Sequence, residues 1–228
     1  MQLPSAEQKL FFETAALQYQ KDLAADTYAQ AYLTSRGIGP EVASTYRLGV
    51  LRNPQLGHEQ FVGRLSIPYI TPHGIVTFSF RCLEQHVCKE TILYIGKDGK
   101  PRHCAKYRAP LGVERTLYNV LDFKKAEDTI YICEGEIDAL TLSVCGYAAI
   151  AVPGVKNWKD HFTRCFMDYP NVFVVADGDE AGYRLGAFLS TEIKARAVRP
   201  PQGEDVNSIY TKGGRDAVRK WLAGATGN

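Results

Sequence analysis

No run of about 18 apolar residues occurs anywhere in this 228-residue chain, so no membrane-spanning helix is expected. Its opening MQLPSAEQK is too polar for a secretory signal peptide, and none is expected. An excess of charge is missing too. The 27 Lys and Arg stand against 25 Asp and Glu, so bulk charge does not announce a nucleic-acid binder and any basic patch must be local. None of the six cysteines forms a CxxC pair, the spacing that makes a zinc ribbon convincing. Repeats, low-complexity tracts and long linkers are lacking, as is any Ser- or Cys-centred nucleophile constellation. What remains is a compact chain with material for one large domain or two small ones. Cys133, Cys145 and Cys165 lie in or beside apolar patterns, the usual place for free thiols, so a reducing cytoplasm is the expected setting.

Two stretches organise the rest. Thr129 to Leu140 reads TIYICEGEIDAL, and Asn171 to Gly182 reads NVFVVADGDEAG. Each is an apolar, β-branched run of strand length that ends in acids and glycine and then turns to helical periodicity. In an open α/β sheet such acids stand at the carboxyl ends of parallel strands, where ligands bind. Glu134 follows the first strand, and Asp177 and Asp179 follow the second. Asp138 lies one helical turn past Glu134 and can face the same way. Like charges about 4 Å apart cost about 4 kcal/mol at a protein-like dielectric, so gathered carboxylates call for cations. Oxygen ligands without His or Cys suit Mg²⁺ or Mn²⁺. The plainer alternative is that the acids cap helices, where Asp and Glu are common. Their order, each set directly after an apolar strand, favours the metal site.

EGEIDAL (134–140), Gly154 after the strand Ala148 to Val152, and DGDEAG (177–182) together resemble the Toprim domain, shared by DnaG-type primases, topoisomerases, RecR-like proteins and some nucleases. The resemblance implies a small parallel sheet with helices on both faces and metal-dependent phosphoryl chemistry on nucleic acid. Other segments narrow the branch. YLTSRGIGPEVASTYRLGV (32–50), GRLSIPYITPHGIVTFSFRCL (63–83), KYRAP (106–110) with Leu117-Tyr118, and PPQGEDVNS (200–208) follow the order of a DnaG-type primase core.

Read from residues alone, 5–35 is helical and is stopped by Gly37 to Pro40; a short helix then runs from Pro40 to Tyr46. Thr71-Pro72-His73-Gly74 joins two β runs as a hairpin. That hairpin puts Arg64 and Arg81 at one end, where they can form a cationic patch; the alternative is a pair of solvated surface charges. The resemblance turns these arginines toward a DNA template. Lys106 and Arg108, flanking Tyr107, suit a groove that tracks a phosphate backbone, and Lys106 can equally hold a triphosphate. Cys82, His86, Cys88, His103 and Cys104 gather around an exposed KDGKPR turn. They offer enough ligands for zinc, but without CxxC pairs the spacing favours a surface hairpin with incidental Cys and His, and zinc is not the expected cofactor. Helical spacing from Glu180 to Ala195 reads as core packing, and another helix is expected from Gly214 to Leu222. Asp205 is either a supporting carboxylate behind the metal or an ordinary turn acid.

The expected fold is therefore α/β: a mixed α+β, basic N-terminal subdomain over 1–124, a Toprim domain over 125–200 and a closing segment with a helix over 201–228. The resemblance implies a primase that makes short RNA primers on single-stranded DNA from ribonucleoside triphosphates, with Glu134, Asp177 and Asp179 catalytic and, with Asp138, holding Mg²⁺ or Mn²⁺. The competing readings are a Toprim nuclease and a non-catalytic RecR-like DNA-binding module. No zinc-ribbon or helicase segment is legible, so the chain is expected to be a fragment or a compact phage-type primase. A replicative helicase or a separate zinc-ribbon protein would then be its partner, no membrane would be involved, and the host cytoplasm would be its place.

Overall fold

A computed structural model of the chain describes residues 4–152, 154–177 and 180–227. It divides into two compact units, the first made of 1–34, 39–69 and 73–113, the second of 35–38, 70–72 and 114–228.

In the first unit, Ser5 opens α1 (Ala6–Ala25) through a reciprocal capping box with Gln8. The helical stretch expected over 5–35 breaks at Asp26, whose carboxylate accepts from Ala29 N–H and so starts α2 (Thr27–Ser35). Pro40 occupies the first turn of α3 (Pro40–Thr45), where its missing N–H costs nothing. The strands of this unit are β1 (Gly49–Val50), β2 (Leu65–Thr71), β3 (Gly74–Arg81), β4 (Ile92–Ile95), β5 (Pro101–His103) and β6 (Tyr107–Arg108). One sheet runs β1-β2-β3-β6, while β4 and β5 form a separate two-stranded ribbon. The expected hairpin is β2–β3, turning at Pro72-His73 with Gly74 at φ +100°. Strand alternation sends Phe78 and Phe80 to one face of β3. There Phe78 meets Phe12 and Tyr19 of α1, and Phe80 stacks on Phe61. Thr77, Ser79 and Arg81 take the other face and are also buried.

The second unit alternates strand and helix: β7 (Thr129–Cys133), α4 (Glu136–Val144), β8 (Ala149–Ala151), α5 (Asp160–Arg164), β9 (Asn171–Val175), α6 (Glu180–Glu192), β10 (Arg196–Val198) and α7 (Val206–Thr226, kinked at Gly214). Its sheet is wholly parallel in the order β10-β9-β7-β8. Ile130, Ile132, Val172 and Val174 on one face form a core with Phe162, Phe166, Leu185 and Leu189, from α5 and α6 and the turn after α5. Each such side chain withdrawn from water stabilises by about 2 kcal/mol. Tyr131, Cys133, Phe173 and Val175 are buried on the opposite face, and α4 packs against β7, β8 and α7. This is the expected α/β layering, with helices flanking a parallel sheet. Among the described residues, no helix is long and apolar enough to cross a membrane.

Candidate functional site

β7 and β9 are adjacent and in register, Cys133 opposite Val175. Glu134 is therefore the first residue past one strand, and Asp177 the second past its neighbour. Both are half-buried, as is Asp138 in the first turn of α4. Cys133 reports on their proximity. Its fully buried thiol is pushed well above its ordinary pKa, first by desolvation and then by the negative charges of Asp138 and Asp177. Two of the expected carboxylates thus act on the one sulfur that ends β7, and Glu134 is its chain neighbour. Glu134 and Asp177 stand just past the same end of two paired strands, with Asp138 in the helix turn that follows Glu134, while Asp179 lies outside the described residues.

Two residues that sequence reasoning missed hold this arrangement. Asn207, buried in the first turn of α7, donates its backbone N–H to Asp138 Oδ1 at 3.2 Å. Its side chain is fixed in turn, donating to Arg36 O at 2.8 Å and Thr141 Oγ1 at 3.0 Å. The amino end of a helix is a favourable place for a carboxylate, so α7 orients Asp138. The sequence signal is the DVNS run, whose Asn207 backbone rather than its Asp205 carboxylate meets Asp138. Asp205 is the N-cap of α7, accepting from Ser208 N–H at 2.6 Å, which gives its carboxylate a helix-starting role.

The second missed residue is Gly182. A Cβ there would stand 2.1 Å from Asp177 O and 2.9 Å from Asp177 N, so only glycine lets α6 lie this close to the backbone that carries Asp177. The donor set suits a hard divalent cation such as Mg²⁺ or Mn²⁺, because its acids supply oxygen and the neighbouring Cys133 thiol is buried and kept protonated.

The expected basic patch is corrected in part. Arg64 and Arg81 are 7% and 6% exposed, so they do not form an open cationic surface. Arg81 donates to the hydroxyls of Tyr32 and Tyr107, its guanidinium carbon 4.9 Å from the Tyr107 ring centre. Arg64 donates to Ala105 O at 2.8 Å and Cys104 Sγ at 3.5 Å. The strand-end position was read correctly, but burial obliges each guanidinium to satisfy its N–H groups internally. Lys106 is exposed, and Arg108 is half-buried over Phe61, bonded to Gln60.

Of the five Cys and His residues singled out, four meet. The ligand atoms of Cys82, His86, Cys88 and Cys104 all lie within 4.8 Å of one another. His103, exposed on β5, is not among them. Burial pushes the Cys104 thiol up, but hydrogen bonds from His86, Cys88, Cys82 and Arg64 outweigh it and bring the pKa down to about 7.

The family described as the Toprim domain matches residues 129–216. The Gene 57 protein of Mycobacterium phage D29 is 41% identical over 122 residues, 53% of this chain and 78% of that protein. A DNA primase of Pasteurella multocida is 24% identical across 90% of this chain and 40% of its own length. The chain spans less than half the length of the bacterial primases it matches. The RNA polymerase domain of Mycobacterium tuberculosis primase DnaG, solved with double-stranded DNA, superposes with a TM-score of 0.72 at 20% identity, covering 96% of this chain and 81% of that one. A DnaG primase catalytic domain bound to single-stranded DNA gives 0.71 at 21% identity, over 96% and 79%. The fold is that of a DnaG-type primase catalytic core. Residues 129–216 of this chain are a Toprim domain, and the chain belongs to one family with the phage Gene 57 protein.

Proposed function

We propose that the chain is the catalytic core of a primase, joining ribonucleotides into short primers on a single-stranded DNA template. The observation that supports this reading is the position of Glu134 and Asp177 past the same end of paired β7 and β9, with Asp138 one helical turn after Glu134, within a primase-core fold. Two divalent ions held by Glu134, Asp177 and Asp179, with Asp138 in support, would supply charge neutralisation at the attacking 3′-oxygen and the triphosphate. The chain's own residues do the positioning. Asn207 and the amino end of α7 fix Asp138, and Gly182 fixes the backbone of Asp177. Lys106 and Arg108 hold template or triphosphate phosphates without reading sequence. Glu134 is also the candidate to accept the proton of the attacking hydroxyl.

The test is primer synthesis from labelled ribonucleotides on defined single-stranded templates, with Mg²⁺ and Mn²⁺ compared. Wild type should yield template-dependent oligomers. Glu134→Gln should abolish them while leaving template affinity within about twofold, since it removes charge and barely changes shape. Shortened DNA in place of oligomers would identify a nuclease. Binding without turnover under either metal, unaffected by Asp177→Ala, would identify a non-catalytic module. Wild-type product from Glu134→Gln would refute the assigned role.

A further inference from the structure

We propose that Cys82, His86, Cys88 and Cys104 form a structural zinc site in the first unit, separate from the carboxylate centre. Zinc bound at about 2.3 Å to sulfur and about 2.0 Å to nitrogen defines a tetrahedron with edges of about 3.5–3.8 Å. Cys82 Sγ is 3.7 Å from Cys104 Sγ and 3.8 Å from His86 Nε2, and all four ligand atoms fit within 4.8 Å. The 3.7 Å between Cys82 and Cys104 is far too long for a disulfide. Three thiolates and a neutral imidazole leave a zinc centre with one net negative charge. Arg64 stands against it, buried, its guanidinium directed at Cys104 Sγ at 3.5 Å. Among the described residues, Arg64 forms no ion pair with a carboxylate, so a thiolate–zinc centre supplies the counter-charge that a buried guanidinium requires.

The second observation is structural need. Cys82 directly follows β3 and Cys104 lies three residues before β6, so the quartet closes the base of everything between them. That excursion has little core of its own. Every residue of β4 and β5 is exposed, including Ile92, Leu93, Tyr94 and Ile95. A lone two-stranded ribbon is marginal in water, and small coreless elements are commonly stapled by a metal. Here the ion would join His86 and Cys88, from the outgoing limb, to Cys82 and Cys104 at the root.

The tag-free chain, purified without added metal, should contain one zinc per chain by elemental mass spectrometry. Cys104→Ser and Cys88→Ser should fall to near zero. Cys165→Ser, which alters the exposed thiol outside the quartet, should keep its zinc, and His86→Cys should retain it as a four-thiolate site. Should the serine variants fail to fold, wild type exchanged into Co²⁺ must still show the visible bands of a tetrahedral thiolate complex. Chelation should speed tryptic cutting at Lys97 and Arg102. The proposal is overturned by zinc well below one per chain with all quartet thiols titrating freely. Iron and acid-labile sulfide in place of zinc would also overturn it, as would full zinc retention by a Cys88→Ser/Cys104→Ser double variant.

Discussion

At Gly182 a single methyl group decides whether Asp177 keeps its place. The added Cβ of Gly182→Ala would fall 2.1 Å from a backbone oxygen, which cannot swing aside as a side chain would. Overpacking of this kind costs about 1–3 kcal/mol, and a displacement of about 1 Å at a reacting centre costs about a hundredfold in rate. Gly182→Ala should therefore lose about a hundredfold in primer synthesis with a modest fall in Tm; unchanged turnover would mean that Asp177 does not depend on this contact. The strand ends that carry Glu134 and Asp177 were legible from the chain, since each apolar run stops abruptly at an acid and a glycine. Asn207 was not. Its role depends on α7 returning to meet α4, a contact between residues 69 positions apart.

At the scale of elements, the chain enters β8 through a buried anchor. Asp122, fully buried in the turn Val120–Lys124, accepts from the Ser143 hydroxyl and from Ala149 N–H at 3.2 Å. Its ion pair with Lys125, 2.7 Å long, adds little because the lysine is exposed. The cost of Asp122→Ala comes from stranded donors and should be about 3 kcal/mol, read as a lower denaturant midpoint at unchanged slope. A loss under about 0.5 kcal/mol would show the anchor to be dispensable. A second buried polar group sits against α1. His58 bonds Tyr19 Oη through Nδ1 at 2.8 Å, inside a ring of Phe11, Phe61, Phe78 and Phe80. Desolvation lowers its pKa, opposed by the nearby charge of Glu59. Above about pH 6.5 His58 is neutral both folded and unfolded, and its contribution is complete. As the pH falls below that value, the unfolded chain takes up a proton that the folded one resists, so stability declines toward the folded pKa by at most about 1.4 kcal/mol per unit. His58→Phe should flatten this part of the stability–pH curve between about 6.5 and 5, above the range where ordinary carboxylates titrate; an identical slope in the variant would assign the decline elsewhere.

For the whole molecule, a net charge of +2 leaves template attraction to a few cations rather than to a general field. With Arg64 and Arg81 committed internally, Lys106 is the exposed member of the expected set. Lys106→Ala should weaken single-stranded DNA binding alike across sequences and reduce the slope of log affinity against log salt by about 0.7, the value for one phosphate contact on a single strand. A slope equal to wild type would remove Lys106 from the interface.

Local order along the chain carried the strands, their acids, the hairpin and most helix limits, because periodicities of 2 and 3.6 and the turn residues act over a few positions. The hairpin turn also put Arg64 and Arg81 at one end of the two strands. It could not say that this end is covered, since burial depends on what packs above a strand, and there only the fold decides. The Cys/His quartet is the same lesson in reverse. The spacing from Cys82 to Cys88 lacks the familiar pairing, and the fourth ligand arrives from the far side of a ribbon. Only the closure of β3 onto β6 brings Cys104 back to the other three, because ligands of one ion must share a point in space and need not be near in sequence.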